Sequence, residues 1–214
     1  MRKTMKSFVI IAVLAIVSVG TVNAQLGVQA GYVSSKFVGE NPYTDPYNGF
    51  NAGLTYDMEI QGGVGLHYGL LYTLISDKES EDLFDATLTT KSFGHFLNVP
   101  VQATYKYAIN RDLRIFAYAG PNFTMGVAGS NTLSSDATDR ELKDSWYKEG
   151  DGLFGEMIGD SFYKRFDIQL GVGLGVQYSN FILKGGYDWG LLNPYGSDFK
   201  ANRNQFNISL GYLF

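Results

Sequence analysis

The chain has 214 residues, 45% of them hydrophobic and 15% aromatic, with 17 Lys and Arg against 21 Asp and Glu and a formal charge of −4. The acidic balance argues against a nucleic-acid surface, and the absence of Cys excludes both a disulfide scaffold and a lipid-anchored lipoprotein. Gly (26), Tyr (15) and Phe (15) are abundant, a mixture that suits barrel strands with aromatics at the interfaces and Gly where the walls crowd inside.

Residues 1–24 read as a removable secretory signal. Arg2, Lys3 and Lys6 make a basic start, residues 8–20 are apolar apart from one Ser, and the small residues ending at Ala24 place cleavage before Gln25. The apolar run is too short to span a membrane as a helix, and no longer one follows. Residues 25–214 form one domain. Without its three N-terminal cations it carries 14 basic against 21 acidic residues, a formal charge of −7.

The domain then alternates with a period of two, the mark of strands with different solvents on their two faces. Strand 1 covers residues 25–34, followed by a loop rich in Gly, Pro, Asn and Asp at 39–48. Strand 2 (49–60) turns through 61–63 into strand 3 (64–75). An acidic loop at 76–91 leads to strand 4 (93–107), and a short turn at 108–112 to strand 5 (113–127). A long irregular segment, 128–163, contains a short candidate helix at 139–148, and a loop of that length is expected to be functional or unstructured. Strand 6 (165–178) alternates most clearly. A turn at 179–180, strand 7 (181–191), a polar loop at 193–203 and strand 8 (204–214) complete the chain.

Strand 8, NQFNISLGYLF, sets the reading. Phe206, Ile208, Leu210, Tyr212 and Phe214 fall on one face; Gln205, Asn207, Ser209 and Gly211 fall on the other. Such an apolar strand at a chain end is an aggregation hazard in water but natural if one face meets lipid and the other a polar lumen. Strands 2 and 6 repeat the pattern with Gly on the polar face. Connections alternate long and short, as in barrels with short periplasmic turns and longer external loops. Outward aromatics gather at two heights. Phe181 and Trp189 are about 27 Å apart along their strand, or about 20 Å vertically at a tilt near 40°. The fold class is therefore all-β, an eight-stranded antiparallel up-and-down transmembrane β-barrel, with the outer membrane as its expected location.

The signal, the eight strands, Pro100 on strand 4, the Ala119-Gly120-Pro121 step and the run DIQLGVGLGVQ at 167–177 carry a resemblance. The chain resembles the small eight-stranded outer-membrane barrels, OmpX-like and OmpA-barrel-like, and is more narrowly similar to the PorT-type outer-membrane β-barrel family. Asn207, Tyr212 and Phe214 resemble the signal by which the barrel-assembly machinery recognises its clients, with Ser209 where that pattern usually has Gly. The resemblance implies fold and place, and a secretion-accessory role as one option.

No phosphate loop, nucleophile elbow or metal-spaced His/Cys cluster is present, so no catalytic, cofactor or metal residue is assigned. The candidate site is a lumen network of Asp57, Glu59, His67, Lys106, Arg114 and Lys184, all on inward parity. An eight-stranded interior is filled by side chains, and charges there have to be paired. The alternative is an enzyme site that uses His67 on lipid A. His95 shares parity with lipid-facing Leu97 and Val99 and reads as an interface residue. The acidic 76–91 loop reads either as a solvated loop or as a cation bridge to lipopolysaccharide. Trp146, Tyr147, Leu153, Phe154 and Phe162 in the 128–163 segment read either as a lid or as a surface for an extracellular or secretion partner. The expected role is non-enzymatic, envelope-structural or loop-mediated binding, with a narrow pore as a transport alternative.

Overall fold

The computed structural model describes residues 23–39, 46–83, 86–135, 138–146, 164–193 and 201–214. Their strands are β1 (Asn23–Gly39), β2 (Tyr47–Gln61), β3 (Val64–Leu83), β4 (Ala86–Ala108), β5 (Leu113–Ser135), β6 (Thr138–Ser145), β7 (Phe166–Tyr178), β8 (Phe181–Gly190) and β9 (Ala201–Leu213). All pairings are antiparallel. β4 pairs with β5 and β1 with β9, which closes β1-β2-β3-β4-β5-β7-β8-β9 into a ring of eight. β6 lies outside that ring, paired with the far end of β5. Closure removes the sheet edges inside the barrel wall, so every ring strand has two partners there.

The alternation read from the sequence sorts the side chains as expected. Outward Leu54, Leu174 and Leu210 are exposed, while inward Gln29, Asn98, Gln169 and Gln205 are buried. The interior also holds apolar side chains, among them Phe116 and Tyr118, whose inward parity the sequence gives. Phe116, Tyr118, Ile182 and Leu213 cluster near the short turns. Val33, Ile75, Phe96 and Trp146 cluster toward the opposite end, with Tyr47 packed against them.

Six of the eight ring strands are longer than the sequence suggested; β7 and β8 keep the expected extent to within a residue. The 76–91 segment is not a loop: β3 runs on to Leu83 and β4 starts at Ala86, with cross-strand pairs from Asp77↔Ser92 to Leu83↔Ala86. β5 continues past 127 to Ser135, and the candidate helix at 139–148 is overturned over 138–145, which pair with β5 as β6. Polar composition hid these strands. A hairpin standing in water needs only paired backbones, with no apolar face to betray its period. β5 carries a bulge where it leaves the expected strand: His95 opposes Ala128 and Phe96 opposes Gly126, so Val127 is the extra residue and parity flips beyond it. Residues 1–22 of the expected signal, 40–45 and 147–163 lie outside the described residues.

Candidate functional site in the barrel lumen

The six residues of the expected lumen network come from five strands and meet at the short-turn end. Asp57 (β2) is the centre. Its Oδ1 accepts a hydrogen bond from Lys106 Nζ (β4) at 2.5 Å, and its Oδ2 lies 3.2 Å from His67 Nδ1 (β3). Lys184 Nζ (β8) stands 3.0 Å from His67 Nε2. An ammonium can only donate, so Nε2 accepts and the ring proton sits on Nδ1, where it donates to Asp57. Lys106 donates a second bond to Gln177 Oε1 (β7) at 3.1 Å. Asp57, His67, Lys106 and Lys184 are all buried. Glu59 and Arg114 pair separately, 2.8 Å apart and only part-buried, near the turns.

Alternation brings this cluster together. Asp57 and Glu59 precede the Gly62-Gly63 turn, His67 follows it, and the β2–β3 register sets Asp57 opposite His67. Both turn glycines have positive φ (64° and 84°), a conformation that costs glycine nothing. A second charged group stands higher in the lumen. Arg203 Nε is 3.6 Å from Asp167 Oδ2 with its guanidinium over the Phe96 ring at 4.4 Å, and Asn207 Nδ2 donates to Asp188 Oδ2 at 3.0 Å. Gln177, Asp167, Asp188 and Arg203 were not singled out from the sequence. The inward parity of Gln177, Asp167 and Asp188 was visible but not their neighbours, and Arg203, expected in the 193–203 loop, lies in β9 instead.

The remaining expected site residues fall as follows. Asn207 faces inward, and its bond is to Asp188. The Tyr212 ring packs against Phe181 (5.1 Å between centroids) and Phe214 (5.3 Å) on the outer face, and the Phe214 amide donates to Leu26 O at 2.8 Å. Ala24 and Gln25 lie in β1 opposite Met58 and Asp57. His95 shares a hydrogen bond with the Tyr72 hydroxyl on the outer wall. Trp146 is buried against Phe96 and Tyr47, and its Nε1 donates to Asn131 Oδ1 at 2.7 Å; the other four aromatic and apolar residues named with it lie outside the described residues. Among the described residues no three His, Cys, Asp or Glu side chains group as metal ligands.

Comparison with known proteins matches residues 20–195 to the outer membrane protein beta-barrel domain. No curated protein matches the chain. Among solved structures it is similar to Ail, the attachment invasion locus protein of Yersinia pestis, in complex with the heparin analogue sucrose octasulfate. That match has 15% identity and a TM-score of 0.46, covering 89% of this chain and 99% of that one. It is also similar to the Neisserial surface protein A (15%, 0.44, covering 90% and 99%) and to the outer membrane enzyme PagL (11%, 0.45, covering 87% and 98%). The family match spans most of the closed ring, the lipid-facing band and the polar lumen, and the protein is one of the outer membrane: the chain belongs to the outer membrane protein β-barrel domain family.

Proposed function

We propose that this is a non-enzymatic integral barrel with a structural interior, whose work is done by the sheet it raises above the membrane. One observation carries the reading. β3, β4 and β5 run on past the apolar band and, with β6, form a four-stranded extension reaching from Asp77 to Leu83 and from Ser130 to Ser145. Seven residues of paired strand span about 24 Å, far more than a connection between staves requires. Its β3–β4 hairpin is acidic, with Asp77, Glu79, Glu81 and Asp82 against Lys78 and Lys91. The fitting partner is cationic, or an anionic surface such as lipopolysaccharide bridged by divalent cations.

An enzymatic use of His67 on lipid A is disfavoured by the bonds that occupy both of its ring nitrogens inside the closed wall. The narrower PorT-type kinship, with its secretion-accessory role, rests on the sequence resemblance, as does recognition of Asn207, Tyr212 and Phe214 by the assembly machinery; cleavage after Ala24 rests on the signal pattern of residues 1–24. The test replaces residues 77–91 by a tight turn in the purified, refolded barrel. The shortened protein is expected to keep its heat-modifiable mobility while losing calcium-dependent binding of purified lipopolysaccharide. Undiminished binding, or an altered lipid A profile in cells carrying His67→Ala, would overturn the proposal.

A further inference from the structure

Between the charged cluster and the Trp146 layer, the lumen encloses a cavity of about 30 Å³. Asn51, Thr73, Asn98, Gln102 and Asn122 line it, and one side-chain oxygen of each is buried without a hydrogen-bond partner in the protein. All five side chains belong to residues more than nine-tenths buried. Five orphaned acceptors around one small space are not scattered defects, because a buried polar atom left unmade is costly and rare. Turning the Asn98 and Asn122 amides does not remove their share. Asn98 Nδ2 already donates to Thr124 Oγ1 at 2.8 Å and Asn122 Nδ2 to Gln169 Oε1 at 3.3 Å, so a flip forfeits those bonds.

A wall of acceptors selects a guest that donates. An anion is therefore the wrong guest. A cation meets Lys184 in the same wall, and the only carboxylate there, Asp188, already accepts from Asn207. A neutral donor remains. We infer that the cavity is a built site for about two ordered waters, which complete the plug of the barrel. The volume suits that number. The donor count agrees: two waters carry four O–H groups, the Thr73 hydroxyl rotates to donate for itself, and four amide oxygens remain to be satisfied. The site also links opposite walls. Its acceptors stand on β2, β3, β4 and β5, while Lys184, Asp188, Gln205 and Asn207 face them from β8 and β9. The waters thus hold together two halves of the ring that share no backbone ladder across the lumen.

The test uses Thr73→Val, which removes one oxygen from the cavity wall and leaves the shape unchanged. If waters occupy the site, they lose a partner and the unfolding midpoint of the refolded barrel in micelles falls by about 2–4 °C. If the site is dry, deleting an orphaned acceptor raises the midpoint. Wild-type protein supplies an independent readout: cross-relaxation between long-lived water and the side-chain amide protons of Asn98 and Asn122 is expected. Its absence would overturn the inference, as would anomalous density for rubidium at the site in crystals soaked with that ion.

Discussion

Lys184 Nζ lies 3.0 Å from His67 Nε2, although the two residues are 117 apart in sequence and four staves apart around the ring in either direction. The bond crosses the full width of the lumen, and Asp57 and Lys106 extend it back to the near wall. A barrel bridged in this way is closed at that level. Planar-bilayer recording of the refolded protein is expected to show no stepwise conductance, and steady single-channel steps would contradict the plug.

The same cluster makes a stability prediction. Lys106→Met leaves the buried Asp57 carboxylate with only His67, and removing one member of a buried pair costs about 3–5 kcal/mol. Asp57→Asn in the Lys106→Met background removes the stranded charge and is expected to recover most of that loss. Urea unfolding in phospholipid vesicles, followed by the mobility shift of the folded barrel, measures both. Equal losses for the single and double variants would show that the pair acts independently of the charge.

Two glycines on the strands that flank β9 predict a contrast. A Cβ on Gly31 would lie 2.4 Å from the Ile208 carbonyl oxygen and 2.7 Å from Ser209 Cα, so it meets the β9 backbone, which has no room to yield. On Gly185 the nearest atom is Asn207 O at 3.7 Å. Gly31→Ala is therefore expected to cost about 1–3 kcal/mol as overpacking and to lower the folded fraction recovered, while Gly185→Ala folds as the parent does. Densitometry of folded and unfolded bands decides between them.

The chain has only two tryptophans, and they face different solvents. Trp189 is 44% exposed on the outer wall and packs edge-to-face with Tyr187 at 5.2 Å, whereas Trp146 is 6% exposed inside the far mouth. Brominated lipids are expected to quench the emission of the Trp146→Phe variant strongly and to leave that of Trp189→Phe nearly unchanged. Similar quenching of both would place Trp146 outside the lumen.

Phe214 closes β9 through its amide bond to Leu26 and its ring contact with Tyr212. Deleting it removes one hydrogen bond and one aromatic pair at the β1–β9 seam, worth about 1–3 kcal/mol together. As the proposed assembly label it matters more to rate than to stability. Pulse-chase insertion in cells is expected to slow several-fold, with unfolding in vesicles only slightly changed, and unaltered insertion kinetics would remove that role.

Parity is a local property, and the sequence determined it without help. Each apolar residue from Phe206 to Phe214, and each inward Gly or polar residue from Asp167 to Gln177, takes its side from the two-residue repeat that a lipid-facing wall imposes. That was enough for eight staves, for their outward aromatics and for the inward direction of Asp57, His67, Lys106 and Lys184. What the repeat does not contain is the neighbour across a strand or across the lumen. Only ring closure and register decided that Lys184 reaches His67, that Arg203 sits over Phe96 and that five orphaned oxygens share one cavity. The hairpins above the bilayer were equally hidden. In water both faces of a strand are polar, so residues 77–91 and 138–145 carry no alternation, and the backbone ladder between their partners was the force that made them strands.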